Sequence, residues 1–240
     1  MKTLADVLAR ERRCEDPALF VSEGPQRYNY HRLLTTAWKA ANFLHHHGVR
    51  EGTTVAVTPE HRAQPVLAFL GGSLLGARTR FVTGREADAK VLVAPYDKLD
   101  AFDLPAGTQR IGYGDDPTDP AHWYWEGDVW SENPTMPPEP SRPETEILVT
   151  DERGYSHADL LGWAQEARES LALAGDERVA VRARIVDARV LAAGVLAPLL
   201  AGSEILFPDD ETAGDVAITF DTRDGEVHEE DVFDVASLDS

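Results

Sequence analysis

Two stretches decide the fold because they read as variants of one segment: FLGGSLLGARTRF at residues 69–81 and VLAPLLAGSEILF at residues 195–207. Aligned without a gap, they share two leucines, a glycine and the closing phenylalanine. Each predicts an apolar helix, a small residue that ends it, and a short strand. Two such copies so far apart in the chain predict a duplicated subdomain rather than a solenoid.

The repeat extends outward from these segments in a constant order. Three further pairs align: YHRLL at 30–34 with YSHADLL at 155–161, VAV at 55–57 with VAV at 179–181, and AKVLVA at 89–94 with GDVAIT at 214–219. Each copy therefore predicts strand, helix, strand, helix and strand. This alternation is typical of βαβ units, so we expect an α/β fold with two similar αβα subdomains and mainly parallel sheets.

Hydrophobic spacing places the individual elements. Helices are predicted at residues 31–47, 62–75, 157–173 and 188–201, and strands at 53–57, 77–81, 90–94, 178–182, 204–207 and 215–220. Within the helix at 62–75, the glycines of GGSLLG indicate close packing on a sheet rather than a phosphate loop, because no Lys-Ser or Lys-Thr follows them. The tail stretch GEVHEEDVF at 225–233 resembles GYSHADLL at 154–161 and predicts a third strand–helix unit that is cut short.

A proline-rich stretch divides the chain. Residues 112–143 hold seven prolines, so we expect a first αβα subdomain at 1–112, a Pro-rich aromatic connector at 113–144 and a second subdomain at 145–240, which together could be counted as one bilobed domain. The connector carries four large rings: Trp123, Tyr124, Trp125 and Trp130. We expect these rings to anchor the connector across the two halves, with a surface for a partner protein as the alternative.

Charge excludes several classes of partner. The chain of 240 residues carries 42 acidic and 23 basic side chains, a net charge of −19, and only four of the bases are lysines. Such a negative field disfavours nucleic acid and anionic membranes. The sequence shows neither an apolar run long enough for a bilayer nor a signal peptide. The single cysteine, Cys14, excludes an internal disulfide. We therefore expect a cytoplasmic protein. The acid excess with few lysines predicts adaptation to a salty cytoplasm, that is, a halophilic protein.

The first copy resembles the opening of the adenylate-forming superfamily, which includes acyl-CoA synthetases, luciferases and non-ribosomal adenylation domains. The resemblance rests on YNYHRLLTTAWKAANFLHHHGVREGTTVAV at 28–57, PVLAFLGGSLLGARTRF at 65–81 and EADAKVLV at 86–93, while GVLAPLLAGSEILF at 194–207 is similar to the next subdomain. It implies the large N-terminal domain of that superfamily, itself built from two αβα halves. It also implies an AMP-forming ligase activity that uses ATP and CoA.

One departure from the superfamily affects this implied activity. The resemblance places a phosphate loop rich in Ser, Thr and Gly, closing with Pro-Lys-Gly, where this chain has only TDERGYSH at 150–157. The candidate ligand-binding positions there are Thr150, Asp151, Arg153, Gly154, Ser156 and His157. A phosphate cradle needs backbone N–H groups and a cation, whereas Asp151 and Glu152 add carboxylates and no lysine follows Lys98. ATP, AMP and CoA are therefore disfavoured, and no cofactor is expected.

No catalytic or metal-binding residue is predicted. Consecutive helical side chains such as His45, His46 and His47 diverge by about 100°, so capping of a helix C-terminus is favoured over a metal site. Ser156 next to His157 is favoured as a helix N-cap, with Asp159 in a capping box, over a nucleophile pair. The lysine-bearing C-terminal domain and the adenine motif of the superfamily are also not found in this sequence.

The sequence thus favours a degenerate, non-adenylating homologue of acyl-CoA synthetases that acts as a binding or interaction module. Its partner would be another protein or a second copy of itself, and its ligand a small acyl or nucleotide-like molecule. The alternative is an acyl-CoA/AMP ligase whose site is completed by a partner polypeptide. A third interpretation is an unrelated two-lobed receptor.

The charge pattern generates a prediction about salt. Raising KCl to about 2 M shortens the Debye length to a few ångströms and screens the repulsion among the 42 acids. We expect the midpoint of thermal unfolding, followed by circular dichroism, to rise between dilute buffer and this salt concentration. A midpoint that stays level or falls would contradict the halophilic interpretation.

Overall fold

The α/β class predicted from the alternation of strands and helices is confirmed. The computed structural model describes residues 1–24, 26–138, 142–220 and 227–238. The first unit comprises Met1–Leu33, His61–Ala63 and His157–Ser240, and the second unit comprises Leu34–Glu60 and Gln64–Ser156. Each unit contains one mainly parallel sheet.

The strands and helices follow the predicted order closely. In chain order, the strands are β1 Pro17–Val21, β2 Gln26–Asn29, β3 Thr54–Val57, β4 Arg78–Phe81, β5 Val91–Pro95, β6 Gln109–Tyr113, β7 His122–Tyr124, β8 Glu146–Val149, β9 Gly154–Ser156, β10 Arg178–Val181, β11 Glu204–Phe207, β12 Val216–Thr219 and β13 Asp231–Asp234. The α-helices are α1 Leu4–Val7, α2 Tyr30–His46, α3 Ala63–Leu74, α4 Trp125–Ser131, α5 His157–Ser170, α6 Ala188–Leu191 and α7 Ala197–Ala201. A π-helical turn, Ala192–Leu196, joins α6 to α7.

The two copies of the repeat exchange their opening hairpins. Sheet A, in the first unit, has the order β13-β12-β10-β11-β1-β2, and sheet B, in the second unit, has the order β7-β6-β5-β3-β4-β8-β9. Among the strands that the structure describes, the hairpins β1–β2 and β8–β9 are antiparallel and the other pairings are parallel. The hairpin that opens the first copy thus joins the sheet of the second copy, and the reverse holds for β8–β9. The compact units and the copies divide the chain differently, and the boundaries 1–112, 113–144 and 145–240 stay a prediction about the copies.

Helices cover one face of sheet B, and connecting segments cover the other face. A Cβ atom added to Gly72 of α3 would lie 3.6 Å from Thr79 Oγ1 and 4.0 Å from Val55 Cγ2, so these side chains face the helices. Because side chains alternate along a strand, Arg78 and Arg80 lie on the opposite face. There the connection 82–90, which contains no helix, and the segment 96–102 cover a small apolar cluster. The edge of the sheet beyond that cluster is left to polar side chains.

Sheet A carries a smaller apolar cluster, and an arginine covers part of it. Phe20, Ala180 and Leu206 form the cluster, and the guanidinium carbon of Arg27 lies 3.7 Å from the centre of the Phe20 ring. This distance fits a cation–π contact.

A buried ion pair fixes two irregular segments to β10. Arg182 and Glu229, whose side chains are 8 % and 0 % exposed, meet at 2.8 Å. Glu229 also accepts the N–H of Gly214, and Arg182 donates to the carbonyl of Thr212. Burial raises the pKa of Glu229, but the hydrogen bonds from Arg182 and Gly214 outweigh it and hold the pKa below its ordinary value.

Two predicted segments differ from the structure. The connector was expected to be a loop, but it contains β7 and α4. Its rings contact residues of the second unit: Trp125 is buried against Phe43, whereas Trp130 is 74 % exposed and contacts the Lys39 ammonium. The tail forms strand β13 beside β12 instead of the expected helix, and residues 221–226 lie outside the described part of the chain. Among the described residues, no helix is long and apolar enough to cross a bilayer.

Close packing between two helices explains the glycine at position 71 of α3. A Cβ atom at Gly71 would lie 2.8 Å from the backbone nitrogen of Ala41 in α2, closer than real Cβ contacts. The close approach predicted for GGSLLG is therefore made to a neighbouring helix, while Gly72 makes only ordinary contacts with the sheet. The missing side chain at Gly71 lets the two helices touch.

Glycine replacements in two helices should have opposite effects. Gly71→Ala forces backbone apart in the core and should lower the free energy of unfolding by about 1–3 kcal/mol. Gly162→Ala is the control: Gly162 lies in α5, exposed, with no atom within 4 Å of the new Cβ, and should gain about 0.5–1 kcal/mol from helix propensity. Urea denaturation followed by circular dichroism compares them. Equal stabilities for the two variants would contradict the packing of α2 on α3.

Candidate functional site

The turn between β8 and β9 occupies the position expected for a phosphate loop. Residues 150–153 join the two strands as a tight turn. The N–H of Thr150 donates to the carbonyl of Arg153 at 3.0 Å. The Thr150 hydroxyl oxygen lies 3.3 Å from the amide nitrogen of Glu152 and 3.4 Å from that of Arg153. The turn thus directs the N–H groups of residues 150, 152 and 153 toward its own oxygens.

Charge at the turn is arranged around one arginine from the neighbouring strand. Arg80 of β4 places Nη1 2.6 Å from Asp151 Oδ1 and Nη2 3.4 Å from the Thr150 carbonyl. The Asp151 side chain is 96 % exposed, so this ion pair contributes at most about 1 kcal/mol. The main effect of this ion pair is local, because it pairs the Arg80 guanidinium, which reaches the turn from β4, with a carboxylate.

Gly154 is explained by a neighbouring side chain. A Cβ atom at Gly154 would lie 2.5 Å from the carboxyl carbon of Glu146 on the paired strand. The glycine therefore leaves room for Glu146 beside the hairpin. Arg153 points along the same hairpin, with its guanidinium carbon 4.6 Å from the centre of the Tyr155 ring. Ser156 ends β9, and α5 begins at the next residue.

Three of the predicted positions line one recess on sheet B, which we call the β4 recess. It has a volume of about 1070 Å³, and its lining includes Thr150, Arg153 and Gly154 from the hairpin. Arg78 and Arg80 from β4 and Arg110 from β6 also line it. The volume is at the upper end of the range for small-molecule sites. Asp151 is connected to it through Arg80.

Both signs of charge surround the β4 recess. Its remaining charged lining residues are Glu86, Asp88, Asp103 and Glu146. Arg78 and Arg110 donate to backbone carbonyls, at 2.8 Å to Gly52 and 3.4 Å to Phe102. In the described part of the chain, neither guanidinium has a carboxylate partner within ion-pair distance. The lining of the recess therefore includes two guanidinium groups without carboxylate partners among the described residues, together with four acidic side chains.

Of the four arginines that line the β4 recess, Arg153 was predicted from the sequence, whereas Arg78, Arg80 and Arg110 were not. The signal was present in the triplet Arg78-Thr79-Arg80, in which a buried residue separates two polar ones at the period of a strand. Such an alternation places both arginines on one face. Which face of which sheet they occupy depends on long-range strand pairing, which the triplet does not encode.

His157 belongs to the first unit, whereas the other five predicted positions belong to the second. Its side chain is fully buried, and Nδ1 accepts the N–H of Leu4 at 3.2 Å. The remaining proton must therefore lie on Nε2, which is buried and has no hydrogen-bond partner among the described residues. Burial lowers the pKa of His157 to about 4. This histidine holds the start of α1 and does not reach the β4 recess.

The three consecutive histidines have separate surroundings. His46 Nδ1 lies 2.8 Å from Glu132 Oε1. His47 packs between the rings of Phe43 and Trp123, each with its centre 4.5 Å away. Over the described ranges, no three acidic, histidine or cysteine side chains are close enough to hold a metal ion. The histidines diverge as helix geometry requires.

Replacement of His157 should remove a pH dependence of stability. Its pKa is about 4 in the folded chain and 6.5 ordinarily, so between these values the unfolded chain binds a proton that the folded chain excludes. Stability should therefore fall as the pH falls from 7 to 4, by about 3 kcal/mol from this group. His157→Gln keeps an acceptor for Leu4 and should flatten that part of the profile, measured by urea denaturation at each pH. The exposed control His31→Gln should keep the wild-type slope, and an unchanged slope in His157→Gln would refute the assignment.

Comparisons with known proteins agree on the fold. No protein-family model and no curated protein sequence matches the chain. Among solved structures, the anthranilate CoA ligase AuaEII with anthranoyl-AMP superposes with a TM-score of 0.79 at 18% identity, covering 90% of this chain and 49% of that one. A fatty acyl CoA synthetase of Mycobacterium tuberculosis gives 0.67 at 15% identity, covering 92% and 49%. The nonribosomal peptide synthetase FmoA3, in its AMPPNP-bound form, gives 0.70 at 19% identity, covering 88% and 23%.

These likenesses confirm the fold that the sequence resemblance implied. The chain spans about half the length of the two CoA ligases that it matches. Their identities to this chain are too low to transfer substrates or activity. The chain therefore has the α/β fold found in the N-terminal part of adenylate-forming acyl-CoA ligases and nonribosomal adenylation domains.

Proposed function

We propose that this chain is a non-adenylating binding module built on the fold of an adenylate-forming ligase. The observation that carries the proposal is the closed turn at residues 150–153, where three backbone N–H groups point to Thr150 and Arg153 oxygens and Asp151 pairs with Arg80. A phosphate cradle requires those N–H groups to point outward to the anion. The turn provides a hairpin in place of a cradle.

Electrostatics supports the same conclusion. Asp151 and Glu152 are exposed at the tip of the turn, where a triphosphate would approach. A carboxylate about 4 Å from a phosphate charge costs about 1–4 kcal/mol, depending on the local dielectric. Arg80 already faces Asp151, and no lysine occurs after Lys98. The residues present at the turn therefore do not fit ATP.

The β4 recess is the place where this module would bind a ligand. It adjoins the turn, and free edges of Arg78 and Arg110 face it. A small acyl carboxylate would find guanidinium donors there and an apolar wall formed by Phe102, Leu104 and Pro105. A partner protein or a second copy of this chain is the other occupant that the module hypothesis allows. The rival hypothesis, a ligase completed by a partner polypeptide, requires the same turn to hold a triphosphate.

Nucleotide binding decides between these functions. In about 2 M KCl, isothermal titration with magnesium ATP, AMP and CoA should give no saturable heat, and ATP–pyrophosphate exchange with a panel of carboxylic acids should stay at background. We expect this because three backbone N–H groups of the turn point to its own oxygens and Arg80 is paired with Asp151.

Variants identify the location of any binding that does occur. If magnesium ATP binds and Arg80→Ala abolishes the binding while Arg142→Ala, an exposed control outside the turn, does not, the turn holds phosphate and the proposal fails. Exchange activity that appears only with a second polypeptide would establish the partner-completed ligase instead.

A further inference from the structure

A second recess lies in the second unit, next to the aromatic stretch at residues 123–125. It has a volume of about 600 Å³, and we call it the Trp123 recess. Trp123, Lys90, Gln109, Asp128, Ser131 and Glu132 are among its lining residues. None of them lines the β4 recess. The feature to explain is an exposed indole among polar side chains of both charges.

The indole of Trp123 is exposed yet held in one orientation. The residue is 43 % exposed, and its Nε1–H donates to Gln109 Oε1 at 3.1 Å. The His47 ring packs against it, and His47 in turn packs edge-on against Phe43. Burial lowers the pKa of His47, which favours the neutral imidazole in this stack. A ring fixed in this way loses little conformational entropy when a ligand covers it.

Donors and acceptors of hydrogen bonds surround this ring. The Lys90 ammonium has no hydrogen bond or ion pair with any residue in the described ranges, and its stem lies over Gly48, where an added Cβ would be 2.8 Å from Lys90 Cε. The carboxylate of Asp128 accepts the N–H of Tyr124 at 2.9 Å. The carboxylate of Glu132 is held by His46 and is 14 % exposed. The lining of the Trp123 recess thus includes an ammonium without an ion pair in the described ranges and two carboxylates that are already oriented.

We propose that the Trp123 recess binds a neutral saccharide ring. The C–H face of the sugar stacks on the exposed side of the Trp123 indole, and its hydroxyls bond to Lys90 and to the carboxylates of Asp128 and Glu132. A hydroxyl is both a donor and an acceptor, so a polyol can satisfy an ammonium and a carboxylate at once. A flat apolar face with a polar rim matches a ring fixed by tryptophan and surrounded by hydrogen-bonding groups.

Charged planar ligands fit this recess less well. An aromatic acid could stack on Trp123 and pair with Lys90, but its carboxylate would also meet Asp128 and Glu132, which repel it. A nucleotide phosphate meets the same repulsion. The balance of charges around the ring therefore favours an uncharged ligand.

The experiment is an NMR titration that observes the indole N–H resonances. The probes are methyl glycosides of glucose, galactose and mannose with maltotriose and cellotriose, each added to about 50 mM, and benzoate and AMP serve as charged comparisons. At least one saccharide should shift the Trp123 resonance with a Kd of about 1 mM, as expected for one stacked ring with a few exposed hydrogen bonds. Benzoate and AMP should bind at least about tenfold more weakly.

Matched variants test the location of binding. Trp123→Ala should weaken binding at least about tenfold, measured on the ligand by saturation transfer. Trp130→Ala is the control, because Trp130 is also exposed but packs on Lys39 outside the recess, and it should leave the affinity unchanged. Lys90→Ala removes an exposed side chain that supports no packing contact of the core, so it tests the polar contacts even if Trp123→Ala unfolds, and should weaken binding about threefold or more.

The proposal is overturned by any of three results. These are no shift of the Trp123 resonance with any saccharide, equal loss of affinity in Trp123→Ala and Trp130→Ala, or tighter binding of benzoate or AMP than of every saccharide. The last result would make the recess a site for planar anions.

Discussion

The parallel pairing of β4 with β8, in which Thr79 lies opposite Leu148, is the constraint on which the candidate site depends. Through it, the hairpin that opens the second copy of the repeat becomes the edge of the first copy's sheet. Arg80 then lies next to the turn, where it pairs with Asp151, and Arg78 and Glu146 both line one recess. Both strands are short, so the loss of this one pairing would detach the turn, its ion pair and the recess together.

The fold was largely readable from sequence, and the reason is local periodicity. The helices α2, α3 and α5 begin within one residue of their predicted starts because apolar spacing is set by each helix's own turns. The exchange of hairpins could not be predicted from the sequence, since side-chain alternation does not indicate which strand pairs with which. The prediction for the tail was wrong for a related reason. The similarity between 225–233 and 154–161 suggested a helix, whereas residues 231–234 form a strand that pairs with β12. Tertiary context overrides such short similarities.

The candidate site likewise combines features that follow from local sequence with features that depend on distant partners. Thr150, Arg153 and Gly154 lie in one recess, as expected from their closeness in the chain, but Ser156 ends β9 outside the lining, and His157 begins α5 in the other unit. The resemblance placed the phosphate loop between a strand and the next helix, and in the structure this interval contains the turn and the short strand β9 before α5 begins. It did not indicate that Gly154 makes room for Glu146 or that His157 accepts a hydrogen bond from Leu4. Those roles arise from pairing and packing partners that are distant in sequence.

Short connections between parallel strands have a further consequence that links the fold to the composition. Parallel strands are usually joined through helices that cover the sheet, but the connections 82–90 and 208–215 contain none. Arg182 fixes the second of these connections, because its guanidinium donates to the carbonyls of Asp209 and Thr212. Arginines fix other loops in the same way: Arg78 donates to the carbonyl of Gly52 and Arg62 to that of Glu23. A planar guanidinium can bond a carbonyl and still reach a carboxylate or a ring, as Arg182 does with Glu229, whereas an ammonium is a compact point charge. Arginine is therefore better suited than lysine to positions where one side chain fastens a loop and also meets a carboxylate. At Arg182, a lysine would keep the charge but could not hold the Thr212 carbonyl and both Glu229 oxygens in the same planar geometry.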